Sequence, residues 1–193
     1  MTRSLDDLTW PVRTERLLIR RATAEDAEVT WPYRSDPAIA EWLTRLPTDR
    51  AAYDAWCASA EVLDAQLIME HDGEVVGDLY LSVGDGWAQK ELTEQAAGTE
   101  AEIGWVLVPA ARGRGLATEA VAELLRICFE DLGLRRVTAG CFAANEGSWR
   151  LMERLGMRRE AHTIGDALHR DHGWVDGMQY GLLEPEWRRL HPG

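Results

Sequence analysis

Cysteine is scarce. The three in this 193-residue chain, Cys57, Cys128 and Cys141, are odd in number and widely spaced, which offers neither a disulfide framework nor a zinc site. Cys128 and Cys141 lie in apolar stretches and read as small buried hydrophobes. No apolar run approaches the length of a membrane span. The opening MTRSLDDLTW has no apolar core of the kind a signal peptide needs, so a cytoplasmic chain is the expectation. Positive charge is also short: 21 basic residues against 33 acidic give a net charge of -12. Such a surface repels a nucleic-acid backbone, so neither a nucleic-acid nor a membrane partner is expected. It suits plain solubility, or the attraction of a cationic amine. Internal repeats and low-complexity tracts are absent.

What is present is a globular composition, 46% hydrophobic and 28% charged, of a length that suits one domain over residues 1–193. Nine tryptophans supply large apolar surfaces for a core, with one or two available to line a pocket. The chain opens with a strand over 16–21. A helix follows, with Thr23 as N-cap and Asp26 at the capping-box position. A second helix starts at Asp36-Pro37 and carries Ile39, Trp42 and Leu43; a third covers 48–62 from Thr48. Two strands, 65–71 and 74–83, flank Asp72-Gly73, a strong hairpin signal. Residues 84–98 read as a polar loop. A strand over 99–108 ends at Pro109, which cannot donate to a ladder. A helix over 114–131 shows an apolar face of Leu116, Ala117, Ala120, Val121, Leu124, Leu125 and Cys128, with Gly133 as its C-cap. A strand over 135–142, a helix over 146–155 ending at Gly156, two strands over 157–164 and 173–183, and a polar tail complete the pass. The strand–helix–strand middle requires parallel neighbours and the hairpins antiparallel ones, which predicts an α/β (α+β) fold: a mixed, mostly antiparallel sheet of about seven strands flanked by helices.

The chemistry concentrates where the 99–108 strand turns through Arg112-Gly113-Arg114-Gly115 into a helix. The first N–H groups of a helix have no intrahelical partner, and its dipole adds positive charge at the same end. A pyrophosphate fits there. A nucleotide P-loop would need G-x-x-x-x-G-K-[ST], and both the lysine and the spacing are missing. A dinucleotide fingerprint, G-x-G-x-x-G, fails at its third glycine, where Thr118 stands. An ordinary strand-to-helix turn explains one glycine, though not two flanked by two arginines.

Arg112-x-x-Gly115-x-Ala117 resembles the Q/R-x-x-G-x-G/A signature of the GNAT acetyltransferases. Ala101 to Pro109 is similar to that family's fourth strand, and Asn145 to Met157 to its second block, N-x-x-S-x-x-L-x-E-K-L-G-F. Thr14-Glu15-Arg16-Leu17-Leu18-Ile19-Arg20 and Asp176 to Leu183 resemble the branch that acetylates ribosomal-protein N-termini (RimJ/RimL-like). The resemblance covers about residues 14–187.

It implies acyl-CoA, most simply acetyl-CoA, as co-substrate, with a parallel strand pair splayed around it and no metal. It implies an amine acceptor and often a homodimer. The backbone of Trp105, Val106, Leu107 and Val108 would pair with pantetheine. Arg112, Gly113, Arg114, Gly115, Ala117 and Thr118 would hold the pyrophosphate, and Asn145 would bond pantetheine while capping its helix. Glu102 is the candidate general base, acting through water; its alternative is an outward strand residue, and Glu100, on the same face, is the second choice. Ser148 would serve the leaving thiolate, or else merely bond backbone in the first helical turn. The Val106 N–H would hold the oxyanion. Many relatives use a tyrosine as acid near here, but this helix offers Trp149 instead. His162, His169 and His172 lack the partners of a metal site and read as loop or surface histidines. Asp36, Trp42, Tyr80, Asp176 and Tyr180 are candidates for lining the acceptor pocket. The competing functions are a CoA-binding module without catalysis and an aminoglycoside-type antibiotic acetyltransferase.

Overall fold

Alternating and doubly apolar runs set the strands of this chain, and side-chain caps set three of its helix starts. The computed structural model describes residues 4–192. The chain divides into two compact units. One holds Ser4–Ser82 and Trp105–Glu123; the other holds Val83–Gly104 and the residues from Leu124 onward.

In the first unit, β1 (Val12–Arg13), β2 (Leu18–Arg21), β3 (Gln66–His71) and β4 (Glu74–Gly84, whose last two residues belong to the second unit) are antiparallel neighbours in that order. Leu67, Ile68 and Met69 are at most 1% exposed, so β3 is covered on both faces. The β3–β4 turn is the expected hairpin, with Asp72 at φ 54° and Gly73 at φ 83°.

Helix α1 (Asp26–Arg34) starts later than its capping pattern suggests. Asp26 uses its carboxylate to accept the Thr23 N–H at 2.8 Å and both Arg20 terminal nitrogens at 2.7 Å, so the box is made by the aspartate rather than by Thr23. Helix α2 (Pro37–Ala40) is capped by Asp36, which accepts from the Ala38 N–H at 2.9 Å. It ends before Trp42 and Leu43, which fall in the following turn. The expected 48–62 helix is two: α3 (Arg50–Cys57) and α4 (Ala60–Ala65), separated at Ala58-Ser59. The cap of α3 is Asp49 rather than Thr48, because the Asp49 carboxylate reaches the Ala52 N–H at 2.7 Å.

At the centre of this unit is a buried carboxylate. Asp78, 2% exposed, accepts from Tyr33 Oη at 2.7 Å and Arg34 Nε at 3.0 Å, with Arg34 Nη2 and Gln66 Nε2 completing its shell. Burial and this carboxylate together push the Tyr33 hydroxyl far above its ordinary range, so it stays a donor. The Tyr33 ring packs with Ile39, Leu43, Val106 and Val108.

The segment before β5 (Glu100–Leu107) is more ordered than a polar loop. It contains a 3-10 turn at Lys90–Leu92 and α5 (Thr93–Ala96). Its base is closed by Gly86 N–H to Ala96 O at 2.8 Å and Gly98 N–H to Asp85 Oδ1 at 2.9 Å. Helix α6 (Leu116–Arg126) runs on into a π turn, Ile127–Asp131, and Gly133 follows at φ 68° as expected of a C-cap glycine.

In the second unit β6 (Arg136–Phe142) pairs in parallel with the start of β5, Glu100↔Arg136 to Glu102↔Thr138. On its other edge β6 pairs antiparallel with β8 (Gly173–Leu183), which pairs with β7 (Arg158–His169). Helix α7 (Glu146–Arg154) follows β6. Among the described residues there are eight strands, and β5–β6 is the parallel pair; the fold is the expected mixed α/β one. Two expectations fail in this unit. β7 runs to His169 rather than stopping at residue 164, because irregular pairing at Thr163–Ala167 lets the strand continue past Gly165. The polar tail is a helix, α8 (Glu184–Leu190), in which Trp187 is buried against Phe129 with ring centroids 5.7 Å apart.

Candidate functional site

The phosphate turn belongs to the first unit. Its two glycines are there for their backbone: Gly113 sits at φ 73° and Gly115 at φ 78°, a region that side-chain-bearing residues avoid. A Cβ on Gly113 would meet nothing within 4 Å, so the turn presents open space on that side. Arg112 and Arg114 are exposed, while Leu116 is buried and anchors the helix start. Ala117 and Thr118 are half-buried in the first turn of α6.

A second layer, which sequence reasoning did not assign to the site, supports this turn. Arg16 Nη1 donates to the Arg114 carbonyl at 2.9 Å, and its Nε to Glu119 Oε2 at 2.7 Å. Glu119 Oε1 accepts the Arg16 N–H at 2.8 Å and the Thr14 hydroxyl at 2.5 Å. Burial alone would raise the Glu119 pKa; the hydrogen bonds from Thr14 and from the Arg16 backbone and guanidinium outweigh it and hold the carboxyl below its ordinary value. Arg114 Nη2 lies 2.8 Å from His71 Nε2, whose other ring nitrogen lies 3.0 Å from the Arg16 carbonyl. The Thr14-Glu15-Arg16-Leu17 motif carried the signal for Arg16, but only as a family mark. Its partner stands 103 residues away, and no periodicity links the two.

The strand end Val106–Val108 lies against β4. Val108 N–H donates to Val76 O at 3.0 Å, and a Cβ on Gly77 would lie 2.1 Å from the Val106 carbonyl oxygen. Only a glycine lets the strands approach so closely. Residues of a strand alternate the edge to which they present their backbone groups. Val106 and Val108 therefore face β4, and Trp105 and Leu107 present theirs on the opposite edge. The oxyanion donor expected at Val106 moves accordingly, because that residue's backbone is turned to β4. The Leu107 backbone faces the edge away from β4, while Val108 is engaged with β4.

In the second unit the two candidate bases separate. Glu100 is 18% exposed and ion-paired with Arg136 Nη1 at 2.9 Å and Arg135 Nη2 at 3.2 Å. Glu102, on the same face, is exposed and makes no ion pair among the described residues. The Glu100 carboxylate is spent on two guanidiniums, while that of Glu102 is open to solvent, so the geometry favours Glu102 as the group a substrate or water could reach. Asn145 caps α7 as expected, its Oδ1 accepting the Ser148 N–H at 3.3 Å. That leaves the Ser148 hydroxyl, half-buried, available as donor. Next to it, Trp149 Nε1 is buried with no hydrogen-bond partner among the described residues. A buried unmet donor costs roughly 1–3 kcal/mol.

The pocket-lining candidates scatter. Asp36 is spent on its cap, and Tyr180 is fully buried with its hydroxyl on Glu153 Oε1 at 2.9 Å. Burial, with Glu153, pushes that hydroxyl up to about 12. Asp176 accepts from Gly165 N–H at 3.0 Å and lies 3.0 Å from His162 Nε2, which together hold its carboxyl below the ordinary range. Trp42 falls in the turn after α2, and Tyr80 is 39% exposed on β4. His169 is buried rather than on the surface, stacked on His172 at 4.5 Å and edge-on to Phe142 at 5.1 Å. Among the described residues no group of three or more His, Cys, Asp or Glu side chains could hold a metal ion, and no helix is long and apolar enough to cross a membrane.

Comparison with known proteins bears on the family and the fold. The profile of the Acetyltransferase (GNAT) domain matches residues 16–158. The chain is 27% identical over 179 residues to the uncharacterized N-acetyltransferase YnaD of Bacillus subtilis (strain 168), covering 91% of this chain and 98% of that one. A GNAT-family acetyltransferase from Bacillus anthracis superposes with a TM-score of 0.75 at 26% identity, over 91% of this chain and 99% of that one. Mycobacterium smegmatis RimJ, solved in complex with CoA-disulfide, shares the fold with a TM-score of 0.72 at 22% identity, over 92% of this chain and 84% of that one.

Proposed function

The chain belongs to the GNAT acetyltransferase family, and from that premise we propose that it transfers an acyl group, most simply acetyl from acetyl-CoA, to a primary amine by direct attack in a ternary complex. The observation that carries this reading is the turn at Arg112–Gly115: two left-handed glycines, open space beside Gly113, and a helix N-terminus behind them. Acyl-CoA supplies a thioester carbonyl and a thiol leaving group. The amides of Arg112–Thr118 take its diphosphate. Trp105 and Leu107 offer backbone groups to pantetheine, and a backbone N–H on that edge meets the developing oxyanion. Asn145, its Oδ1 spent on the cap, offers its amide NH2 to the pantetheine arm. Glu102 accepts the amine proton through water, and Ser148 donates to the departing sulfur. The orphaned Trp149 indole N–H supports a bound acceptor group near Ser148.

The acceptor reading is a cationic amine, which the net charge of -12 favours; a protein N-terminus, as in RimJ-like enzymes, and a small polyamine-like or aminoglycoside-like molecule share that chemistry. Thiol release from acetyl-CoA, followed with a panel of such amines and N-terminal peptides, tests the proposal. Turnover with at least one of them is expected. Tight CoA binding with no turnover on any amine or acyl-CoA would replace it with a CoA-binding module that lacks catalysis.

A further inference from the structure

We propose that Arg16 is a direct ligand of the CoA diphosphate, so that the phosphate site is built from two distant stretches of chain rather than from the glycine turn alone; this rests on the acyl-CoA reading above. Three features of its guanidinium carry the inference. Nε is fixed on Glu119 at 2.7 Å and Nη1 on the Arg114 carbonyl at 2.9 Å, which locks the plane of the fork. Nη2 makes no hydrogen bond to any described residue, and it lies 3.4 Å from where a Cβ of Gly115 would stand. The unspent donor thus lies beside Gly115, the residue on which the turn bends into α6. The side chain is 40% exposed, so an anion reaches it without rearrangement.

The setting explains why an arginine is held so firmly in the open. An exposed arginine ordinarily loses more in side-chain entropy than a surface ion pair returns. Here Glu119 takes Thr14 Oγ1, Arg16 N–H and Arg16 Nε together, three contacts spent on one orientation. A rigid fork with two donors engaged and one open is pre-organised for a phosphate oxygen. The charge is also local. In a chain of net charge -12, Arg16, Arg112 and Arg114 gather at this turn, and Arg114 is drawn aside to His71 at 2.8 Å. Arg16 is held at two of its guanidinium nitrogens, by Glu119 and by the Arg114 carbonyl. Its role is in binding, not in the acyl transfer itself.

Calorimetric titration of CoA into the wild-type chain, Arg16→Gln, Arg16→Lys and Glu119→Gln at low and high salt tests this. Arg16→Gln is expected to weaken CoA about tenfold or more, the magnitude of a hydrogen bond to a charged group. It is also expected to flatten the salt dependence of affinity, because one screened charge–charge contact is gone. Arg16→Lys keeps the salt dependence and recovers part of the affinity. Glu119→Gln keeps the cation but loosens it, and weakens CoA less than Arg16→Gln does. If Arg16→Gln leaves affinity unchanged, or weakens CoA with an unaltered salt dependence, Arg16 does not touch the diphosphate and the inference fails. Should Arg16→Gln not fold, an Arg16→Lys protein whose affinity equals that of the wild type overturns it, and one weakened with its salt dependence kept supports it. A wild-type chain that does not bind CoA at all sinks the acyl-CoA reading instead.

Discussion

Two helices of this protein begin in opposite ways. Helix α7 closes its own start: Asn145 Oδ1 takes the Ser148 N–H, and nothing from outside is needed for that amide. Helix α6 begins after two left-handed glycines, and the side chains that brace it, Arg16 and Glu119, bind the turn from the side rather than covering its end. A helix that caps itself leaves its side chains for chemistry. A helix entered through glycine leaves its backbone for a ligand. In the proposed mechanism the donor half is carried by main chain and the reactive half by a few side chains, and main-chain turns leave the plainer mark in sequence.

The sharpest way to break that contrast is to remove the support under the donor half. Asp78→Ala leaves Arg34 without its carboxylate and should cost about 3–5 kcal/mol, read as a large fall in Tm. Because the Tyr33 ring joins this cluster to Val106 and Val108, CoA affinity should fall with it. The reactive half is tested at Glu102. Glu102→Gln should lower kcat about a hundredfold with the KM for acetyl-CoA kept, whereas Glu100→Gln, which removes an ion-paired carboxylate, should act mainly on stability. Equal kcat losses in the two would return Glu100 to contention. Gly115→Ala places a side chain at φ 78° and should cost about 1–2 kcal/mol while weakening CoA; Ala144→Gly, just ahead of the Asn145 cap, should leave CoA affinity unchanged.

The smallest effect concerns pH. Glu119 is held below its ordinary value of 4.5, so what it adds to stability is fully present above that pH and fades as the pH falls through its lowered folded value. Thermal melts of the wild-type chain should lose stability more steeply below pH 4.5 than those of Glu119→Gln. Parallel acid limbs would show that the clamp does not couple to folding.

How much of this was legible beforehand depends on the range of each signal. The β3–β4 hairpin, the α6 apolar face, the Asp36 and Asn145 caps and the glycine turn before α6 are local patterns of a few residues, and each was readable. The Arg16–Glu119 clamp and the Asp78 cluster join residues 103 and 44–45 positions apart, so nothing in a sequence window marks them. Helix α8 was hidden for another reason. Its seven residues bury one tryptophan on an otherwise charged segment, too short a stretch for a period to show. The continuation of β7 was masked by Gly165-Asp166, which reads as a turn but here forms an irregularity within a strand.

The stretch between β4 and β5 has a consequence of its own. Its two ends are fastened to each other by Gly86–Ala96 and Asp85–Gly98, while between them Trp87 stands 96% exposed. Substitutions between the two fasteners that spare Asp85, Gly86, Ala96 and Gly98 should therefore leave the register of β5 with β6 unchanged.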